Sequence, residues 1–116
     1  MHEGAIAQSI LDILKQVAED NGMARITRVR LKIGKLSGVM IDALMFALDA
    51  LKYEEGLISD ALFEVTETQI RARCALCNTE YTFDDATDMV LLCRQCHMPL
   101  EVTAGREMEI IDVEGE

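Results

Sequence analysis

Cys74-Ala75-Leu76-Cys77 and Cys93-Arg94-Gln95-Cys96 contain every cysteine in the chain, as two CxxC knuckles separated by residues 78–92. That spacing reads as a four-thiolate metal site. Each CxxC turn brings two sulfurs to one side of a tight loop. Two such loops at the ends of a short hairpin present four thiolates tetrahedrally, a donor set that suits zinc. Asn78 follows the first knuckle, where a left-handed backbone is often required and Asn is enriched. The apolar residues between the knuckles, Tyr81, Phe83, Val90, Leu91 and Leu92, are too few to form a core alone. A structural zinc contributes on the order of 10 to 16 kcal/mol in small peptides, comparable with the whole stability of an ordinary domain. Residues 71–101 are therefore expected to form a zinc-ribbon-like lobe that folds only with its metal.

Other uses of four cysteines compete with this one. A disulfide framework belongs to small secreted chains. Here the opening residues form no charged, apolar, cleavable leader, which predicts a reducing, cytoplasmic setting. Cys93 to His97 also matches the CxxCH of covalent haem attachment, but haem leaves Cys74 and Cys77 unexplained. A rubredoxin-like iron site or a redox dithiol has the same sulfurs, and spacing alone does not separate zinc from iron. Structural zinc is the reading carried forward.

At 116 residues the chain can hold one modest core with a small metal-stapled lobe. Charges recur throughout, so no apolar run is long enough to span a bilayer and no membrane partner is expected. The formal charge of -10 works against a nucleic-acid surface, because phosphate binding needs clustered cations. From residue 71 onward, Arg71, Arg73, Arg94 and Arg106 face ten carboxylates. Cationic or metal-bearing partners suit such a surface.

Ile6, Ile10, Ile13, Leu14 and Val17 recur at helical intervals and Asn21-Gly22 supplies a stop, which predicts a helix over about 5–20. Thr27, Val29, Leu31 and Ile33 alternate with Arg28, Arg30 and Lys32, so a strand follows with one apolar and one basic face. Glu64, Glu107 and Glu109 are expected opposite those cations as exposed cross-strand pairs. After a turn at Gly34 to Gly38, Ile41, Leu44, Met45, Leu48 and Leu51 mark a second helix over about 39–52. Phe63 and Val65 begin a strand over about 62–70, and Gly105 precedes a last strand over about 106–113. The expected fold is α+β: two helices on a small three-stranded sheet, residues 1–70 plus 102–116, with the zinc lobe 71–101 inserted between two strands.

Met1-His2-Glu3 is a second candidate site. Initiator methionine is normally retained before a large residue, so a free Met1 amine is expected to precede His2. That amine, the deprotonated His2 amide and the His2 imidazole close adjacent chelate rings on one metal, and the Glu3 amide or carboxylate adds a fourth donor. Square-planar nitrogen donation suits Ni(II) or Cu(II) rather than zinc. A frayed terminus with an incidental histidine is the plain alternative, and the residues alone leave both open. His97, after the second knuckle, is similarly either a solvent-facing turn residue or an extra zinc or nickel ligand.

A longer pattern bears on the choice. Met1-His2-Glu3, Gln8-Ser9-Ile10, the run Val29 to Val39, the CxxC pair and Gly105-Arg106-Glu107-Met108 occur in an order that resembles the HypA/HybF family of nickel-iron hydrogenase maturation chaperones. The similarity covers essentially the whole chain. It implies a non-enzyme that binds nickel at its amino terminus and structural zinc in a separate lobe. It also implies delivery of nickel to the hydrogenase large subunit precursor together with a nickel-handling GTPase. By that resemblance His2 is the principal nickel ligand, Glu3 is adjacent to or part of that site, with the Met1 amine as the further donor that the chelate rings supply, and Cys74, Cys77, Cys93 and Cys96 hold zinc. Gly4-Ala5 and His97 depart from the family pattern. The reading from another class is a zinc-ribbon interaction adaptor, which predicts one bound metal and no nickel.

Overall fold

The computed structural model describes residues 2–116. Its larger layer is built on β1 (Ile26–Gly34), the middle strand of a sheet ordered β2-β1-β6. β2 (Leu62–Thr68) runs parallel to β1 and β6 (Met108–Gly115) antiparallel. A parallel neighbour requires a crossover connection, and α2 (Ile41–Lys52) supplies it. α1 (Glu3–Asn21) lies beside α2 and ends at Gly22, whose φ of 65° lets Met23 N donate to Ala18 O at 2.8 Å. The core between helices and sheet contains Ala7, Leu11, Leu14, Leu44, Leu48, Val29, Leu31, Ile33 and Phe63.

The helices fall where their periodicity places them, with one reassignment of faces. Ala7, Ile10, Leu11, Leu14 and Ala18 are the buried residues of α1, whereas Ile13, expected in the core stripe, is 51% exposed. Alanines let α1 approach the sheet along a face that a search for large apolar residues passes over.

The run expected as one strand over 62–70 is two. β2 ends at Thr68 and β3 (Ile70–Cys74) begins beyond Gln69, because the two pair with different partners. β3 is the centre of a second antiparallel sheet, flanked by β4 (Glu80–Phe83) and β5 (Leu100–Ala104). β5 has no counterpart among the expected strands, and the last strand starts at Met108 instead of 106. The second core is small: Ile70, Ala72, Cys74, Phe83, Cys93 and Leu100. Val90 and Leu92 are exposed and do not contribute to it.

The sheets are joined by close backbone contact. A Cβ on Gly34 would collide with the Gly105 carbonyl, and Leu36 N donates to that carbonyl at 2.6 Å. Leu36 then packs on the second core. Lys35 Nζ reaches Asp84 O at 2.7 Å and Gln69 Nε2 reaches the Asp84 carboxylate at 3.1 Å.

The two arginines of the basic stripe of β1 are paired, although not with all the residues expected. Arg28 donates twice to Glu64 Oε1, at 2.6 and 3.0 Å, and Arg30 pairs with Asp112 at 2.7 Å. A bulge between Arg30 and Leu31 sets the register of β6, bringing Asp112 and Glu114 beside the arginines. Glu107 is not among these partners, since its carboxylate accepts from Gly105 N at 2.6 Å. Glu109 lies in register with Lys32, but no ion pair joins them among the described residues. No helix among the described residues is long and apolar enough to cross a membrane.

Candidate functional site

β3 carries Cys74 directly into the first knuckle, and both knuckles close in the same way. Asn78 N donates to Cys74 O at 2.8 Å and His97 N to Cys93 O at 2.9 Å. Asn78 and His97 take the left-handed backbone that this turn needs, with φ of 62° and 58°. His97 is thus the structural counterpart of Asn78. Its side chain is exposed and lies outside the sulfur cluster.

The four sulfurs of Cys74, Cys77, Cys93 and Cys96 lie within 4.8 Å of one another. Zinc bound tetrahedrally at about 2.3 Å per sulfur separates its ligands by about 3.8 Å. Cys77 Sγ and Cys93 Sγ are 3.7 Å apart. Cys74 and Cys93 are buried, Cys96 is half-buried, and Cys77 faces solvent.

Neighbouring groups polarise the sulfurs unequally. The Tyr81 hydroxyl, 3.4 Å from Cys93 Sγ, and then the Cys96 amide hold the Cys93 thiol down at about 6. Thr79, with its hydroxyl 3.1 Å from Cys77 Sγ, lowers that thiol also. Cys96 is pushed up to about 12, first by its hydrogen bond with Cys77, then by burial and by Cys74. Thiols this crowded cannot all ionise alone, because each thiolate raises the next. A divalent cation removes that conflict, and a closed set of four sulfurs fits structural zinc. Thr79 and Tyr81 carry no signal in the spacing of the motif, so their part in the site emerges only from the folded hairpin.

The second predicted site lies at the start of α1, on the other layer. His2 is exposed and occupies the N-cap, with its carbonyl accepting from Ile6 N at 3.1 Å. The Glu3 carboxylate accepts from Met40 N, at the N-cap of α2, at 3.0 Å. That hydrogen bond is the main cause holding the Glu3 carboxyl below its ordinary range. The Met1 amine lies outside the described residues. His2 also borders a groove of about 460 Å³ between α1 and β6, floored by Leu31 and Ile33 and walled by Ile13 and Met108.

The family described as hydrogenase/urease nickel incorporation, metallochaperone, hypA matches residues 1–115. The hydrogenase maturation factor HypA of Moorella thermoacetica is 36% identical over 117 residues, covering 100% of both chains. That of Roseiflexus sp. (strain RS-1) is 34% identical, covering 100% of this chain and 93% of its own. The solution structure of the Ni metallochaperone HypA from Helicobacter pylori shares the fold, with a TM-score of 0.70 at 22% identity over 99% of this chain and 97% of that one. With its two layers, its four-sulfur cluster and a match running through nearly every residue, the chain belongs to the HypA family.

Proposed function

We propose that this protein is a nickel metallochaperone of hydrogenase maturation that receives nickel at its amino terminus and passes it to the precursor of a nickel-iron hydrogenase large subunit. A nickel-handling GTPase acts with it, in the cytoplasm, and the chain itself catalyses no reaction. The observation that carries this reading is the family match through residues 1–115, which includes His2 and Glu3 as well as the cysteines.

Two coordination chemistries divide the work. The cysteine cluster holds zinc, which fixes the fold of its lobe. At the terminus, His2 supplies the imidazole, and Met1 and the first amides supply the remaining nitrogens. Amides in the first turn of a helix have no intrahelical acceptor, so a metal can take those nitrogens without breaking the helix. Their deprotonation also adds negative charge where the helix dipole favours it. Glu3 contributes its amide, while its carboxylate stays with Met40 and holds the terminus against α2. A site of few donors on an exposed terminus can surrender its ion to a better one, which a closed site of four thiolates cannot.

Native mass spectrometry with added nickel tests the assignment. The expected result is one zinc and one nickel per chain, with His2→Ala losing nickel and keeping zinc. Zinc alone in the native protein would instead support a zinc-ribbon adaptor.

A further inference from the structure

The core side of α2 is held by Leu44 and Leu48. At 3.6 residues per turn, the opposite side is centred on Phe46, Ala50 and Tyr53. Phe46 is 77% exposed and Tyr53 94%. The outward face of a helix packed on a sheet is ordinarily polar, yet two of the chain's five aromatic residues stand here. Exposed aromatics spaced along one surface are the usual anchors of protein interfaces. Ala50, small and exposed, lies between them along the helix, where an apolar side chain from outside would meet both rings.

One flank of this face is acidic. Asp42 and Asp49, seven residues apart, lie on the same side of the helix. Asp49 approaches Lys52 only at 4.0 Å, and Asp42 has no ion pair among the described residues. A second copy is a poor occupant. Pairing α2 with its own symmetry mate would bring Asp42 and Asp49 of both copies to one seam, in a chain already at -10. The complementary surface is apolar at its centre and basic along one edge.

We propose that the outward face of α2 is the docking surface for a partner protein that sets an apolar side chain between Phe46 and Tyr53 and lysines or arginines against Asp42 and Asp49. The acidic flank begins at Asp42, two residues after Met40, whose backbone amide donates to the Glu3 carboxylate at 3.0 Å. A protein whose basic edge reaches Asp42 is therefore seated at the end of α2 to which Glu3 ties the amino terminus, the place from which nickel would be given or taken. The proposal rests on the nickel-transfer reading for its choice of probes.

Biolayer interferometry of the full chain against the purified GTPase and against the large subunit precursor, at low and moderate salt, tests it. Binding to at least one should weaken tenfold or more in Phe46→Ala/Tyr53→Ala. In Asp42→Lys/Asp49→Lys it should weaken and lose its salt dependence. Ile13→Ala, on the groove side of α1, should bind as wild type. Zinc and nickel stoichiometry and helix protection should stay unchanged in all three, which separates docking from folding and from metal binding. Undiminished binding by the aromatic double variant would overturn the proposal, as would wild-type binding to neither protein. Self-association of the wild type that disappears in the aromatic variant would also overturn it, by assigning the face to a second copy. Failure of the wild type to take up nickel would instead count against the nickel-transfer reading, because the binding measurements need no metal at the terminus.

Discussion

The Glu3 carboxylate and the Met40 amide, thirty-seven positions apart in sequence, are joined by a 3.0 Å hydrogen bond that ties the start of α1 to the start of α2. An anionic acceptor at a helix N-terminus is favourable on two counts, as a cap for an orphan N–H and as a charge at the positive end of the dipole.

That bond predicts a pH dependence. The folded Glu3 carboxyl sits below its ordinary value, mainly because of Met40. A depressed folded pKa means that the contribution is present above the unfolded value and is lost as pH falls through the folded one. The Met40 amide resonance should move on acidification, with a midpoint below the ordinary glutamate range. Glu3→Gln keeps an acceptor without a titrating charge, so its Met40 resonance should stay flat. A Met40 amide that moves equally in both proteins would show that the bond does not form in solution.

The cysteine clip predicts a local, not a global, loss. Cys77→Ser, or removal of zinc by a chelator, should abolish amide protection in β3, β4 and β5 while α1, α2 and β1 keep theirs. The second core holds Phe83, Ile70 and Leu100 as its large members, too little to replace a metal contribution on the order of 10 kcal/mol. Persisting protection of β4 without zinc would mean that this small core suffices.

Tyr81 predicts a kinetic effect on the metal. Its hydroxyl lies 3.4 Å from Cys93 Sγ and accepts from Arg94 N at 3.0 Å, while Arg94 stacks over its ring at 5.8 Å. Tyr81→Phe keeps the ring and removes both hydrogen bonds. Loss of such a ligand-orienting partner lowers metal affinity by about 10- to 100-fold. Zinc transfer to a coloured chelator should therefore quicken, with Thr79→Val giving the parallel effect through Cys77. Wild-type transfer rates in both variants would limit the site to its four sulfurs.

How much of this was readable beforehand differs from residue to residue. The CxxC pair was legible because thiols at that spacing have few other uses. The two helices were legible because Leu44 and Leu48, or Ile10 and Leu14, repeat at helical intervals. Ile13 misled because α1 has two adjacent apolar faces, and the alanines that select the buried one carry little hydropathy signal. The break at Gln69 has no local signature, since it marks a change of pairing partner where β1 ends at Gly34. Arg28 and Arg30 clearly wanted acidic partners. The register shifts along β1 bring Asp112 and Glu114 to them, while Glu107, just before β6, accepts from Gly105 N. The Glu3–Met40 bond is a tertiary contact with no periodic trace at all.

The last prediction separates a terminal chelate from a histidine that stands near the end of a helix. Placing Gly-Ser before Met1 keeps every side chain, including His2 and Glu3, but converts the Met1 amine into an amide. That nitrogen must lose a proton before it can donate, and the new terminus no longer closes the same rings with His2. Zinc content and the Met40 resonance should be unchanged, because neither the sulfur cluster nor the Glu3 carboxylate is touched. Nickel affinity, measured by isothermal titration into native-terminus and extended proteins, should fall sharply in the extended one. Since the ligands must be deprotonated to bind, the native site should also release nickel on acidification. Equal affinities would mean that the amine is not a donor. The missing ligand would then be sought at His97, exposed at the turn of the second knuckle, and at nearby carboxylates.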